Sequence, residues 1–395
     1  MIRQAAGNCC QCNKNSAFGR YFFIKGLNFM KLRAQWAWVL GAGVAISLLV
    51  GCQAQSPLAY PQEAARPTAP SDRIAIPVPM AWGGEMRCGA VGCRLAVVEH
   101  ETSQVAVHQV QGKVSRLLGR HEVAYHPDSA AWLTDDVFVA AVEASSSLDI
   151  FRVEGEGLRR LQQIPVGFAP RDVVVMKVEQ DRFQALATPY SGKGVTWVDG
   201  VIGGSADSAK VRKARWCEAP WHPVAVSRAP GAPQGGVAVA CLDDRKVVFV
   251  PKDDVQAQPR TLATFPAIAR QARPSPSGLW LYVALETGGR NARVHMETGE
   301  LQWVKSPLTG AVGVAPLADD LVIWSEDSGL YLQRLDARGD VLETRWLRTS
   351  GFSTGLQLLD MDGDGERDVV VLNSADQVVD VIYGPLWERA ALQRP

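Results

Sequence analysis

The sharpest grouping of chemically capable residues in the chain is Asp360-Met361-Asp362-Gly363-Asp364-Gly365-Glu366-Arg367-Asp368. Its carboxylates at positions 1, 3, 5 and 9, with glycine at 6, match an oxygen-rich loop that wraps Ca2+. Glycine permits the sharp turn in such a loop, and the carbonyl at position 7 adds a ligand. The expected ligand set is Asp360, Asp362, Asp364, the Glu366 carbonyl and Asp368. Four aspartates so close together would repel one another without a cation. A helix-flanked calcium hand would carry a glutamate at position 12, and that position is Val371. The flanks, Leu356 to Leu359 and Val369 to Leu372, are strand-like, so the loop belongs to a β-hairpin and the ion's expected role is structural.

Other residues imitate reactive sites without the required spacing. In His121-Glu122-Val123-Ala124-Tyr125-His126 the histidines are five apart rather than four, so they do not share a helical face as in a zinc protease. Asp135-Asp136, Asp243-Asp244, Asp253-Asp254 and Asp319-Asp320 sit beside short apolar runs, where aspartates serve turns. Gly192-Lys193-Gly194 lacks the upstream spacing of a phosphate loop, and there is no Gly-x-Ser-x-Gly elbow. No catalytic residue is assigned. Beyond residue 52 the cysteines are Cys88, Cys93, Cys217 and Cys241, and an exported chain could join them as two disulfides. Of the three connectivities, Cys88 with Cys93 and Cys217 with Cys241 is preferred; buried reduced thiols are the alternative.

The elements that must position the acidic loop recur along residues 75–392. Short runs centred on Val97, Val139, Leu186, Val239, Val283, Ile323 and Val371 are separated by 40 to 53 residues, with polar turns between them. Such intervals are those of propeller blades. The runs are nearly continuous in Val, Ala and Leu, as strands buried on both faces should be. Stacking small sheets radially covers both faces and leaves only short outer edges. The expected fold is therefore all-β: a single propeller, of seven blades with four antiparallel strands each. Gly200 to Arg215 reads as a loop insertion, and Arg73 to Val78 as a strand that closes the ring against the last sheet.

The string Leu358-Leu359-Asp360 to Leu372 resembles the FG-GAP or VCBS repeat of integrin-α-like β-propellers. That resemblance implies a propeller blade with Ca2+ held between two of its strands. A fainter copy lies at Gly167 to Pro189, with only Glu179 and Asp181 in its loop. Met296-Glu297-Thr298-Gly299-Glu300-Leu301-Gln302-Trp303 resembles the Thr-Gly-x-x-x-Trp signature of quinoprotein-type propeller repeats, which implies that Trp303 packs between blades.

Residues 1–52 read as an address. From Met30, Lys31 and Arg33 precede an apolar run from Trp36 to Val50, too short for a confident membrane span. Leu49-Val50-Gly51-Cys52 resembles the lipobox of bacterial lipoproteins, which implies lipidation of Cys52. Residues 1–29, with Cys9, Cys10 and Cys12, stand in front of a complete signal; translation from Met30 or removal of the piece accounts for them. Residues 53–74 are rich in Pro, Ala and Gln, the composition of a tether.

Lys plus Arg and Asp plus Glu both number 41, a balance that argues against a nucleic-acid partner. The 47% hydrophobic content suits a large core. The expectation is a lipoprotein anchored through Cys52, most naturally at the outer membrane, whose calcium-binding propeller binds or scaffolds a protein or glycan. The alternatives are a propeller enzyme (a lactonase-like hydrolase, a glycan-cleaving enzyme or a quinoprotein) and an outer-membrane assembly factor.

Overall fold

The computed structural model describes residues 72–392, apart from 252, 253, 255, 327, 328, 352 and 375. The signal segment, Cys9, Cys10, Cys12, Cys52, nearly all of the 53–74 tether and Asp253 lie outside the described residues. The remainder forms seven four-stranded antiparallel sheets. Blade 1 spans residues 81–122, blade 2 127–165, blade 3 170–215, blade 4 220–264, blade 5 269–305, blade 6 313–347 and blade 7 353–382. Blades 1 to 6 are each a meander of four consecutive strands. In blade 7 the chain's last three strands are completed by Arg73–Pro77, whose residues run from Arg73 opposite Ile382 to Pro77 opposite Val378. The strand read as closing the ring does so.

The two-sided burial has a simple cause. Seven apolar clusters lie one at each junction between neighbouring blades. In the second strand of blade 2, Val137, Val139 and Ala141 join the cluster shared with blade 3, while Phe138, Ala140 and Val142 join the cluster shared with blade 1. Since successive side chains of a strand point to opposite faces, a sheet wedged between two others must be apolar at every position. Trp303 packs edge-on against Phe265, the residue just past blade 4's outer strand, 6.2 Å away, in the junction of blades 4 and 5.

Around the axis, the first strand of each blade is innermost. Side-chain acceptors on these strands reach the backbone of the next blade. Glu85 Oε2 accepts from Trp132 N (2.7 Å), Ser129 Oγ from Val173 N (2.8 Å), and Gln271 Oε1 from Val314 N (2.8 Å). Gln357 grips Met86 twice, accepting from its N–H and donating to its carbonyl, both at 2.7 Å. These bonds satisfy amides that the radial packing removes from water. Gly83 allows two inner strands to approach closely: a Cβ there would stand 2.3 Å from the Asp128 carbonyl oxygen.

Both expected disulfides are present, Cys88–Cys93 across the tip of a hairpin and Cys217–Cys241 between blade 4's second strand and the segment leading into blade 4. The stretch 200–215 departs from the loop expected for it. Only residues 202–209 lie between strands, and Lys210–Arg215 is the outer strand of blade 3, paired with Gly194–Val201. Its outward face meets solvent, so it carries Lys210, Lys213 and Arg215 and lacks the apolar run that marks inner strands.

Candidate functional sites: the acidic loop and the channel mouth

The acidic loop joins the first two strands of blade 7, Ser353–Leu359 and Asp368–Asn373. Backbone amides shape it. Asp360 accepts from Gly363 N (2.7 Å) and Gly365 N (3.1 Å), Asp362 from Asp364 N (3.3 Å), and Asp364 from Glu366 N (2.8 Å). Gly363 and Gly365 take φ of 79° and 87°, a left-handed turn that glycine adopts without steric cost. Asp368 is fully buried and accepts from Met361 N (2.7 Å) and Gly384 N (2.8 Å). Burial, with Asp362 and Asp364 adding to it, lifts its carboxyl above the ordinary aspartate value against those two amides.

Asp360, Asp362 and Asp368 bring one carboxylate oxygen each to within 4.8 Å of one another. Asp364 and Glu366 are outside that trio. Three convergent hard oxygens, with lone pairs left over after the amide bonds, fit a divalent cation of the calcium type. The fainter copy has no such loop: Gln180 and Asp181 form a tight turn between Pro170–Glu179 and Arg182–Pro189. His121 and His126 also part company, His121 on blade 1's outer strand and His126 on the link into blade 2.

The opposite face, where the inner strands begin, carries a constellation that motif reading passes over. Between blades 1 and 2, His100 and His126 stack at 4.2 Å, Trp82 stacks on His100 at 5.2 Å, and Tyr125 lies 3.7 Å from His126. His100 Nδ1 is 3.2 Å from Asp128 Oδ1 and 3.1 Å from the Pro127 carbonyl; His126 Nδ1 is 3.5 Å from Glu143. Burial opposes charge on His100, yet the bond to Asp128, helped by Pro127 and Glu143, holds its basicity above the ordinary histidine value. Burial and the neighbouring Asp128 raise Glu143.

A second group spans blades 3, 4 and 5. The guanidinium of Arg171 lies 3.5 Å from the Trp221 ring centre and that of Arg270 lies 4.5 Å from it. Arg171 also sits 5.1 Å from the Tyr190 ring, and Trp221 stacks on His222 at 4.8 Å. His222 Nδ1 is 3.1 Å from Asp172 Oδ2, and Arg270 Nε is 3.5 Å from Glu286. Burial holds the His222 imidazole below its ordinary value, against the pull of Asp172 and with Arg273 and Arg171 adding to the depression. His222 has φ of 46° at a break in the strand register between Trp221 and Val224, a conformation disfavoured for a residue with a side chain. The available sequence signal was local: His126-Pro127-Asp128, Arg171-Asp172 and Trp221-His222 each stand at the head of an inner strand.

No protein-family model and no curated protein matches the sequence. Solved structures do. The chain is similar to Sqt1 of Saccharomyces cerevisiae, at 12% identity and a TM-score of 0.51, over 74% of this chain and 81% of that one. It is similar to a chain of the Kuenenia stuttgartiensis hydrazine synthase at 13% identity and 0.58, over 78% and 96%, respectively. A chain of a mitotic checkpoint complex matches at 12% and 0.60, over 87% and 99%. At such identities the likeness concerns architecture, and it agrees with the seven sheets counted above: the chain folds as a seven-bladed β-propeller.

Proposed function

We propose that this chain is an exported lipoprotein, tethered to a membrane through Cys52, whose propeller is a binding or scaffolding module with one calcium-pinned blade. The observation that carries the binding reading is the concentration of partly exposed aromatic and charged side chains at the mouth of the channel. A rigid ring presenting such residues suits recognition, although many chemistries share this fold. Calcium at Asp360, Asp362 and Asp368 stiffens the inner hairpin of the blade that the closing strand completes, with Asp364 and the Glu366 carbonyl as further ligands. The lipobox-like Leu49-Val50-Gly51-Cys52 and the integrin-α-like acidic loop support the same reading.

Expression of the full chain in a bacterial host, with fractionation of membranes, tests the anchor: Cys52→Ser should move the protein from the detergent-extracted to the soluble exported fraction. Capture of a partner from solubilised membranes tests the binding role. An unchanged distribution of Cys52→Ser would defeat the anchor, and a bait that retains neither protein nor glycan would defeat the module.

A further inference from the structure

We infer that Cys88–Cys93 is a thiol–disulfide exchange site, opened by a dithiol that attacks the Cys88 sulfur, while Cys217–Cys241 is a permanent brace. The inference goes beyond the binding-module reading and depends on neither the anchor nor calcium. The two bonds sit in opposite surroundings. Cys217 and Cys241 are 3% and 0% exposed, inside the junction of blades 3 and 4. Cys93 is likewise buried, in the junction of blades 7 and 1, but Cys88 is exposed near the tip of its hairpin. A thiolate attacks a disulfide along the S–S axis, so it must reach one sulfur from the side away from the other. Exposed Cys88 offers that approach; Cys93, packed in the apolar cluster with Met361, does not. Access of this kind decides which sulfur is attacked and how fast.

The hairpin holds without this bond. Cys88 and Cys93 are directly opposite in register, with Arg87 facing Arg94 before them and Gly89 facing Gly92 beyond. Gln109 Nε2 donates to the Val91 carbonyl at the tip (2.8 Å), while Arg87 and Arg94 donate to the side chain and carbonyl of Asp135 in blade 2, both at 2.9 Å. The bond joins residues five apart, against 24 for Cys217–Cys241, so it constrains the unfolded chain less. Opening it therefore leaves the blade assembled. The reduced state is also provided for. Cys93 Sγ lies 3.6 Å from the Met361 carbonyl oxygen. A disulfide sulfur has no hydrogen to give that acceptor, whereas a thiol has one, so the newly formed buried S–H meets a partner already in place.

The exchange balances in two steps. The partner's thiolate bonds to Cys88 Sγ, the Cys88–Cys93 bond breaks, and Cys93 leaves with the electron pair and takes a proton from water. The partner's second thiolate then attacks its own sulfur in this mixed disulfide and releases Cys88, which is protonated by solvent. Two electrons pass from the dithiol, which becomes a disulfide, to the protein, which gains two thiols.

The test treats the folded full chain, in detergent, with reduced dithiothreitol, quenches with acid, alkylates in urea and reads each cysteine by peptide mass. Cys88 and Cys93 should become alkylated together, about a hundredfold faster than Cys217 and Cys241. Glutathione, a monothiol, should be found as a mixed disulfide on Cys88 and not on Cys93. The Cys88→Ser/Cys93→Ser double variant should lower the melting temperature less than Cys217→Ser/Cys241→Ser does, which separates the exchange site from the brace. Equal opening rates for the two bonds, a Cys88–Cys93 bond that opens only in urea, glutathione on Cys93, or loss of the fold when Cys88–Cys93 alone is opened would overturn the inference.

Discussion

His108 offers a quantitative test of how tightly the ring is sealed. It sits in blade 1's third strand, on the same face as Ala106 and Val110, which look toward blade 7. Only 4% of it is exposed, and its Nε2 has no hydrogen-bond partner among the described residues. Burial, assisted by the nearby Arg120 cation, lowers its pKa from 6.5 to about 4. An unfolded chain therefore takes up a proton on His108 below about 6.5 that the folded chain refuses until about 4. Stability from this group is fully present above the unfolded value and is lost as pH falls between the two. At about 1.36 kcal/mol per unit, the loss comes to about 3 kcal/mol. Burial raises Glu85 and Asp368, whose linkage has the opposite sign, so the parent's curve alone mixes the terms. The difference between the parent and His108→Gln, which cannot protonate in this range, isolates the histidine. Urea unfolding at pH 7 and at pH 4 should show the parent losing about 3 kcal/mol more than the variant. Parallel losses, or an imidazole that titrates near 6.5 by NMR in the folded chain, would refute the argument.

Three further outcomes follow from the same packing. With free Ca2+ at a hundred times its dissociation constant, chelation should cost about 2.7 kcal/mol, and Asp368→Asn should abolish the difference; a melting temperature indifferent to Ca2+ in the parent protein would exclude the structural role. Gln357→Leu leaves the Met86 amide and carbonyl unpaired in the seam between blades 7 and 1, which should cost about 2–4 kcal/mol in urea unfolding, and a neutral result would mean that water replaces the side chain. Ile76 in the closing strand is fully buried, so Ile76→Ala should lower stability by about 2–5 kcal/mol, and a cost near zero would show that blade 7 holds without that strand.

The architecture was legible because a radial stack imposes one demand on every blade: strands such as Val137–Val142 and Gly236–Cys241 must be apolar on both faces, and that demand writes a period into the sequence. Ring closure was legible for a related reason, since Arg73–Pro77 alternates as an outer strand should and stands ahead of the first complete blade. The outer strand Lys210–Arg215 was not, because solvent covers half of it and its composition is that of a loop. The acidic loop could be read because its ligands are contiguous in sequence. The channel-mouth group could not: Arg171, Trp221, His222 and Arg270 come from three blades, and the ring brings together what the chain separates by some fifty residues at each step.

The clasp of blade 7 bears on how the chain becomes a finished protein. Arg73 bonds Asp380, 307 residues further on, so the first strand of blade 7 to be synthesised waits for the last. Blades 1 to 6 can form in order of emergence from neighbouring hairpins, but the ring stays a horseshoe, with an apolar flank at each end, until residue 382 has passed. Such long-range closure is slow and leaves sticky edges exposed meanwhile. A holding chaperone would therefore find its best purchase on the open ends of blades 1 and 6, and truncation a few residues short of Val378 should trap the protein in the state that such a helper recognises.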